Sequence, residues 1–275
     1  MDLESFNTSR ESLVPLLALN NKSNKNIIIF PTDKEAIEFS TDFSNLNKNI
    51  FHLPSWDTLS YDSFVPSFDI QGKRLEIAHL LLTNNNYNIA TSIKAISQRI
   101  YFEELEICKI ELNEEIDFDS LIENLIHLKY QRKDRVESKG SFAIRGGQLD
   151  VYPINYDLPL RVIFDGDLVN EIKTFDTISQ RSVSEKKDIL IVPATELFQI
   201  KHSDILNLSS DKKENLDDYE LFQYSQNLDL EKCLLDLTSN VSLHIVDKNI
   251  VDNQLKEIID IEKDTFENLK QYFSL

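Results

Sequence analysis

Glycine is scarce in this chain: there are five among 275 residues, and none precedes Gly72. A phosphate-binding loop needs glycine so that backbone amides can close on the phosphate oxygens. Neither G-x-x-x-x-G-K-[ST] nor G-x-G-x-x-G occurs, so a Walker A loop and a dinucleotide fingerprint are both excluded; other residues fill that steric role badly. G-x-S-x-G is missing too, which removes a hydrolase elbow. The only cysteines, Cys108 and Cys233, lie far apart in sequence. They fit a reducing compartment and read as small buried apolar residues ahead of a disulfide or metal pair. His52, His79, His127, His202 and His244 stand alone, without C-x-x-C, H-x-x-x-H or H-E-x-x-H spacing, so neither a metal nor a cofactor is expected. No apolar run approaches the roughly 20 residues that span a bilayer. The start MDLESFNTSR lacks the basic and apolar parts of a signal peptide, and a cytoplasmic protein without a membrane partner is expected. Basic residues are outnumbered, 29 Lys and Arg against 47 Asp and Glu, for a net charge of −18. Tight binding to a polyanion normally displaces counterions with clustered Lys and Arg, so this chain alone should hold nucleic acid weakly or not at all. With so many carboxylates, chance acidic pairs carry no catalytic meaning.

What is present begins with an apolar content of 41%, enough to pack cores. Ile27 to Phe30 (IIIF) reads as a strand; Thr32 and Glu35 form a T-x-x-E cap, and Ala36, Ile37, Phe39, Phe43 and Leu46 follow at helical spacing. Further strands are predicted at Asn49–Leu53 and Tyr87–Thr91, with helices near Gln71–Leu82 and Ile93–Leu105. This alternation argues for a small parallel α/β sheet covered on its faces.

From about residue 107 the pattern changes to one helix, Asp119–Leu128, with Leu121, Ile122, Leu125 and Ile126 as its apolar stripe. Strands follow at Arg135–Glu137, Phe142–Tyr152, Leu160–Phe164 and Leu168–Phe175. Asp165-Gly166-Asp167 marks a hairpin turn between the last two. DILIVP (188–193) reads as a strand leaving this α+β insert. The residues 201–229 are polar and irregular, and the chain resumes with a strand at Ser242–Val246 and a helix near Asn253–Phe273. The organisation expected is an α/β domain whose first part is 1–106, an inserted α+β domain over 107–193, and the second part of the α/β domain over 194–275.

Three of the five glycines fall in GSFAIRGGQLDVYPI (140–154). Phe142 and Ile144 share one parity and Leu149 and Val151 the other, a shift that a bulge at Gly146-Gly147 would produce. Alternation then points Arg145 away from the core. In the next strand, burial of Val162 and Phe164 puts Arg161, Ile163 and Asp165 on one exposed face. Strand-borne arginines beside an exposed isoleucine suit a rigid docking patch, while two ordinary solvated arginines with surface ion pairs are the bland alternative.

RVESKGSFAIRGGQLDVYP (135–153) and PLRVIFDGDLVNEIKTFDTISQRS (159–182) resemble the inserted domain shared by the excision-repair protein UvrB and the transcription-repair coupling factors (the Mfd family). LPSWDTLSYDSFVPSFDIQGKRL (53–75) resembles the coupling factors in particular: Trp56, Tyr61-Asp62, Phe64, Pro66, Asp69-Ile70 and Arg74-Leu75 follow their pattern, and there is no room between Tyr61 and Ser92 for UvrB's aromatic hairpin. The resemblance implies a degenerate helicase-like (RecA or P-loop-derived) parallel-sheet domain carrying an α+β module like UvrB domain 2, without catalysis of its own. It implies UvrA as partner, with Arg145 and Arg161 on the family's UvrA-contacting arginines. Relatives often place an aromatic residue where Asp165 stands and an acidic one where Ile163 stands, so here Ile163 is the candidate for the apolar contact. In the family, RNA polymerase, DNA and ATP bind other domains, and a C-terminal domain covers the docking surface until the motor engages. Two other readings stay open: a UvrB-type damaged-DNA-binding protein, and a cryptic nucleotide hydrolase. Trp56, Tyr61, Phe64 and Phe68 are expected to pack the loop against the α/β domain.

Overall fold

The computed structural model describes residues 4–8, 25–45, 50–58, 65–84, 86–100, 104–199 and 233–273; residues 4–8 and 262–273 are described by backbone alone. Two compact units divide the chain. The first comprises residues 1–66, 77–101 and 200–275; the second comprises 67–76 and 102–199.

Among the described residues of the first unit, five strands form a parallel sheet. In chain order they are β1 (Glu4–Thr8), β2 (Lys25–Phe30), β3 (Phe51–Leu53), β4 (Tyr87–Ser92) and, late in the chain, β13 (Ser242–Val246); in space the order is β1-β13-β2-β4-β3. β2 is apolar without alternation because both its faces are covered, as in parallel sheets generally. Helix α1 (Asp33–Ser44) starts where Thr32 Oγ1 accepts the Glu35 amide at 3.3 Å, and it buries Ala36, Phe39 and Phe43 against Ile28, Phe30, Ala90 and Val246. Leu46 lies outside the described residues.

Helix α2 (Phe68–Thr83) begins three residues earlier than its apolar spacing suggests. The helix expected over Ile93–Leu105 is only α3 (Ile93–Ser97), capped by Ser92 Oγ on the Ala95 amide at 3.0 Å. Gln98 is already extended: its side chain accepts the Trp56 amide at 2.9 Å, and Arg99 bridges to Cys233. Those contacts draw Ile100 into the core without helix, although its spacing fits one.

The second unit contains β5 (Cys108–Glu111), α4 (Phe118–His127), β6 (Gln131–Arg132), β7 (Ser141–Arg145), β8 (Gln148–Tyr152), β9 (Leu160–Asp165), β10 (Leu168–Phe175), β11 (Ser182–Glu185) and β12 (Asp188–Ile191). β6 to β11 form a sheet of order β11-β10-β9-β8-β7-β6, antiparallel except between β6 and β7; β5 and β12 pair as a separate antiparallel ribbon. Helix α4, capped by Asp117, packs Leu121 and Leu125 on one sheet face, where Phe142, Leu149, Val151, Leu160, Val162, Val169 and Ile172 make the core. Ile126 of the expected stripe is exposed.

The strand expected at Arg135–Glu137 is instead a turn-rich cover: after Lys133 donates to the Phe142 carbonyl at 2.8 Å the chain leaves the sheet, and Val136 folds back onto Ala143 and Phe175. Helix α5 (Lys248–Phe273) closes the described chain and includes the expected segment; the side chains of Phe266, Leu269 and Phe273 lie outside the described residues, as does the polar connection 201–229.

Candidate protein-interaction site

The face of the second unit's sheet opposite α4 is built by alternation. β7 places Ala143 and Arg145 on it, β8 Gln148 and Asp150, β9 Arg161, Ile163 and Asp165, and β10 Glu171 and Lys173. Pairing aligns these residues in rows: Arg145, Gln148, Ile163 and Glu171 in one, Asp150, Arg161 and Lys173 in the next. Val136 covers the Ala143 end together with Phe175, Asp150 is buried beneath Arg161, and Arg145 and Asp165 are exposed. The four residues singled out from sequence thus share one face.

The glycine pair is not a bulge. Phe142–Tyr152 is two strands, and Gly146-Gly147 is the turn of a hairpin in which Arg145 pairs with Gln148. Gly146 has φ +61°, at the first central position that a type II′ hairpin turn reserves for glycine. Gly147 is required for a different reason: a β-carbon there would lie 2.8 Å from the Phe164 carbonyl oxygen, whose own amide donates to the Gly147 carbonyl at 2.8 Å. One glycine sets the turn and the other lets β9 close on it. Arg145, at the end of β7, is exposed and donates only a long bond, 3.3 Å, to the Asp134 carbonyl.

Arg161 is not the ordinary solvated arginine of the bland alternative. Its Nε and Nη2 donate to the two oxygens of Asp150 at 2.7 and 2.8 Å, Nη2 also reaches Gln180 Oε1 at 3.2 Å, and the guanidinium stacks 4.4 Å from the Phe175 ring centre. Its side chain is 16% exposed and that of Asp150 is 7% exposed. The bond to Asp150 holds the Arg161 proton above its ordinary affinity. This is a charge fixed in place before any partner arrives. Ile163 is half-buried, Asp165 is exposed beside the Gly166 turn, and Lys173 pairs with Glu171 at 2.6 Å. Alternation gave no sign of the Asp150 and Gln180 clamp, because cross-strand partners depend on register.

The conspicuous loop 53–75 has another use. Gln71 Oε1 accepts the Thr195 hydroxyl at 3.0 Å and the Glu196 amide at 2.9 Å, and buried Arg74 donates through Nε to both Glu196 oxygens at 3.0 and 3.2 Å. Lys139 ties Asp69 to the Ile154 carbonyl. These bonds anchor 67–76 inside the second unit. Trp56 is buried, but Phe68 is exposed and lies against Gly140 of the second unit, contrary to the expected packing on the α/β domain. Tyr61 and Phe64 lie outside the described residues.

Where β2 runs into α1, the first helical turn carries Asp33 and Glu35, and Asp33 accepts a bond from Ser55. Acidic side chains there oppose an anion. Cys108 is a free buried thiol whose pKa is pushed up to about 11 by burial, and Cys233 is a free thiol as well. His244 is buried with Nε2 3.2 Å from Asn26 Oδ1, and burial lowers its pKa. No cluster of three metal-ligating side chains occurs among the described residues, where no helix is long and apolar enough to cross a membrane. His202 lies outside the described residues.

Residues 108–197 match the model of the UvrB interaction domain. The chain is 29% identical over 174 residues to the transcription-repair-coupling factor of Escherichia coli (strain K12), covering 62% of this chain and 15% of that protein. It is 31% identical over 159 residues to that of Myxococcus xanthus, covering 56% and 13%. It is 24% identical over 190 residues to UvrABC system protein B of Thermosipho africanus, covering 62% and 28%. The matches thus span about 15% or less of the coupling factors named here. The segment holding the six-stranded sheet and its open face therefore matches the family model of the UvrB interaction domain, within a chain similar to the transcription-repair-coupling factors.

Proposed function

We propose that this chain is a non-catalytic recruiting module that binds the excision-repair protein UvrA through the open sheet face of its second unit and brings it to stalled transcription complexes. The observation that carries this reading is the coincidence of the matched interaction domain with a rigid, partly apolar arginine face: Arg145 at the hairpin, Arg161 clamped on Asp150, Ile163 and Asp165 beside them. Interfaces favour arginine and large apolar side chains held on stiff elements, because little side-chain entropy is lost on contact. The first unit, a parallel sheet without a glycine-rich phosphate loop, then acts as a degenerate helicase-like scaffold. ATP, DNA and RNA polymerase are assigned to other parts of a longer coupling factor.

Titration of purified UvrA by calorimetry tests this. Arg145→Glu and Ile163→Asp should each weaken binding at least tenfold, as removal of a central interface residue commonly costs about 2 kcal/mol. The Arg161→Glu reversal is a poor probe, since it opposes a second carboxylate to Asp150 and perturbs the fold. Undiminished affinity of both variants refutes the proposal. Similarity to UvrABC system protein B supports a second reading, a damaged-DNA-binding repair protein. Binding of damaged duplex at physiological salt would favour it, and the net charge of −18 weighs against it.

A further inference from the structure

The turn that follows β10, Asp176 to Arg181, carries a feature that folding does not explain. Ile178 at its tip is 88% exposed. Isolated exposed apolar residues are ordinary, but this one is mounted on a stiff platform. Asp176 Oδ1 accepts the Ser179 amide at 2.7 Å, the Gln180 amide donates to the Asp176 carbonyl at 2.8 Å, and the Asp176 amide donates to the Arg181 carbonyl at 3.0 Å. Thr177's carbonyl accepts from Arg135 Nη2 at 2.7 Å and from Gln180 Nε2 at 2.8 Å. Gln180 holds φ +60°, a left-handed conformation that strains a non-glycine residue. In that conformation its side-chain oxygen meets Arg161. The edge strand that follows, β11, is exposed throughout and carries Val183 at 59% exposure.

We infer that the Asp176–Arg181 turn is a second contact element of the docking face, with Ile178 as its apolar anchor and Gln180 as the positioning residue that couples it to Arg161. This rests on the reading of the open face as the UvrA-binding surface and extends that surface past β10. The occupant is that same folded partner. Its side of the contact must supply an apolar pocket for Ile178 beside an acceptor for Arg161. Asp150 and Gln180 engage Nε and Nη2 of Arg161, which leaves the Nη1 donors for the partner. The turn's bonds fix Ile178 in advance, so its burial on binding is not offset by ordering a loop.

Calorimetric titration of the full chain with purified UvrA distinguishes this from the parent reading. Ile178→Ser should raise Kd about tenfold or more with an unchanged melting temperature, Ile178→Leu should bind within about twofold of wild type, and Gln180→Gly, which keeps the backbone conformation and removes the clamp, should raise Kd about three- to tenfold. If Arg145→Glu loses affinity while Ile178→Ser binds as wild type, the inference is overturned and the docking face stands. If Ile178→Ser weakens binding while Arg145→Glu and Ile163→Asp both bind as wild type, the turn is the contact and the face reading fails. If all three bind as wild type, both fall.

Discussion

Removing either partner of the Arg161–Asp150 pair should destabilise the second unit far more than a surface ion pair would. The two side chains are 16% and 7% exposed and share two bonds under 3 Å. Truncating one partner of a fully buried pair costs about 3–5 kcal/mol, whereas an exposed pair contributes about 0–1 kcal/mol. Partial exposure of Arg161 screens the interaction, and Gln148 Nε2 at 3.0 Å still serves Asp150, so the expected cost of Arg161→Ala is about 2–3 kcal/mol. Loss of stacking on Phe175 adds about 0.5–1 kcal/mol. For a unit of about a hundred residues this lowers Tm by more than about 10 °C. Urea denaturation of Arg161→Ala, Asp150→Ala and the double variant isolates the pair: the double variant should be more stable than additivity predicts by about 1.5–2 kcal/mol. A coupling below about 0.5 kcal/mol would mean that the guanidinium is solvated, and the argument that Arg161 is preset for a partner would fail.

Two further outcomes follow from the packing. Gly72 lies inside helix α2, where alanine normally stabilises by about 1 kcal/mol; here a β-carbon would lie 2.5 Å from the Ile154 carbonyl oxygen, so Gly72→Ala should instead cost about 1–3 kcal/mol, and a rise in Tm would contradict the contact. Stability should also fall at alkaline pH. Cys108 is raised from 9.0 to about 11 and Tyr130, bonded to the Val192 carbonyl, is raised as well, each by burial first. Groups with raised folded pKa stabilise fully below the unfolded value and lose that contribution as pH climbs through the folded one, so the Cys108 contribution, about 3 kcal/mol, fades between pH 9 and about 11. Equal urea midpoints at pH 8 and 10.5 would refute this, and Cys108→Ala should flatten the profile.

Elements whose apolar pattern is local were legible in the sequence. β10 and β13 have the expected bounds, the Gly166 hairpin turn is where Asp-Gly-Asp put it, and the IIIF run is a strand covered on both faces. The Gly146-Gly147 turn was misread for a definite reason. A two-residue hairpin pairs Ile144 with Leu149, which shifts parity by one, and a bulge gives the same shift. Parity therefore cannot tell a kinked strand from one folded back. It does put Arg145, Arg161, Ile163 and Asp165 on one face in either case. Asp150 and Gln180, 11 and 19 residues from Arg161, became visible only through register. β11 carries no apolar alternation to mark it, and the Arg74–Glu196 pair is separated by 122 residues.

That last pair bears on how the interaction domain can be handled in the laboratory. The matched segment 108–197 contains Glu196 but neither Gln71 nor Arg74. Excising it by its family boundaries would strand a carboxylate in the interior and strip the hydrogen-bond acceptor from the backbone next to it. A portable version of this domain has to be stitched from two separate stretches of the gene, with the short helical piece at 67–76 carried along as part of the cargo.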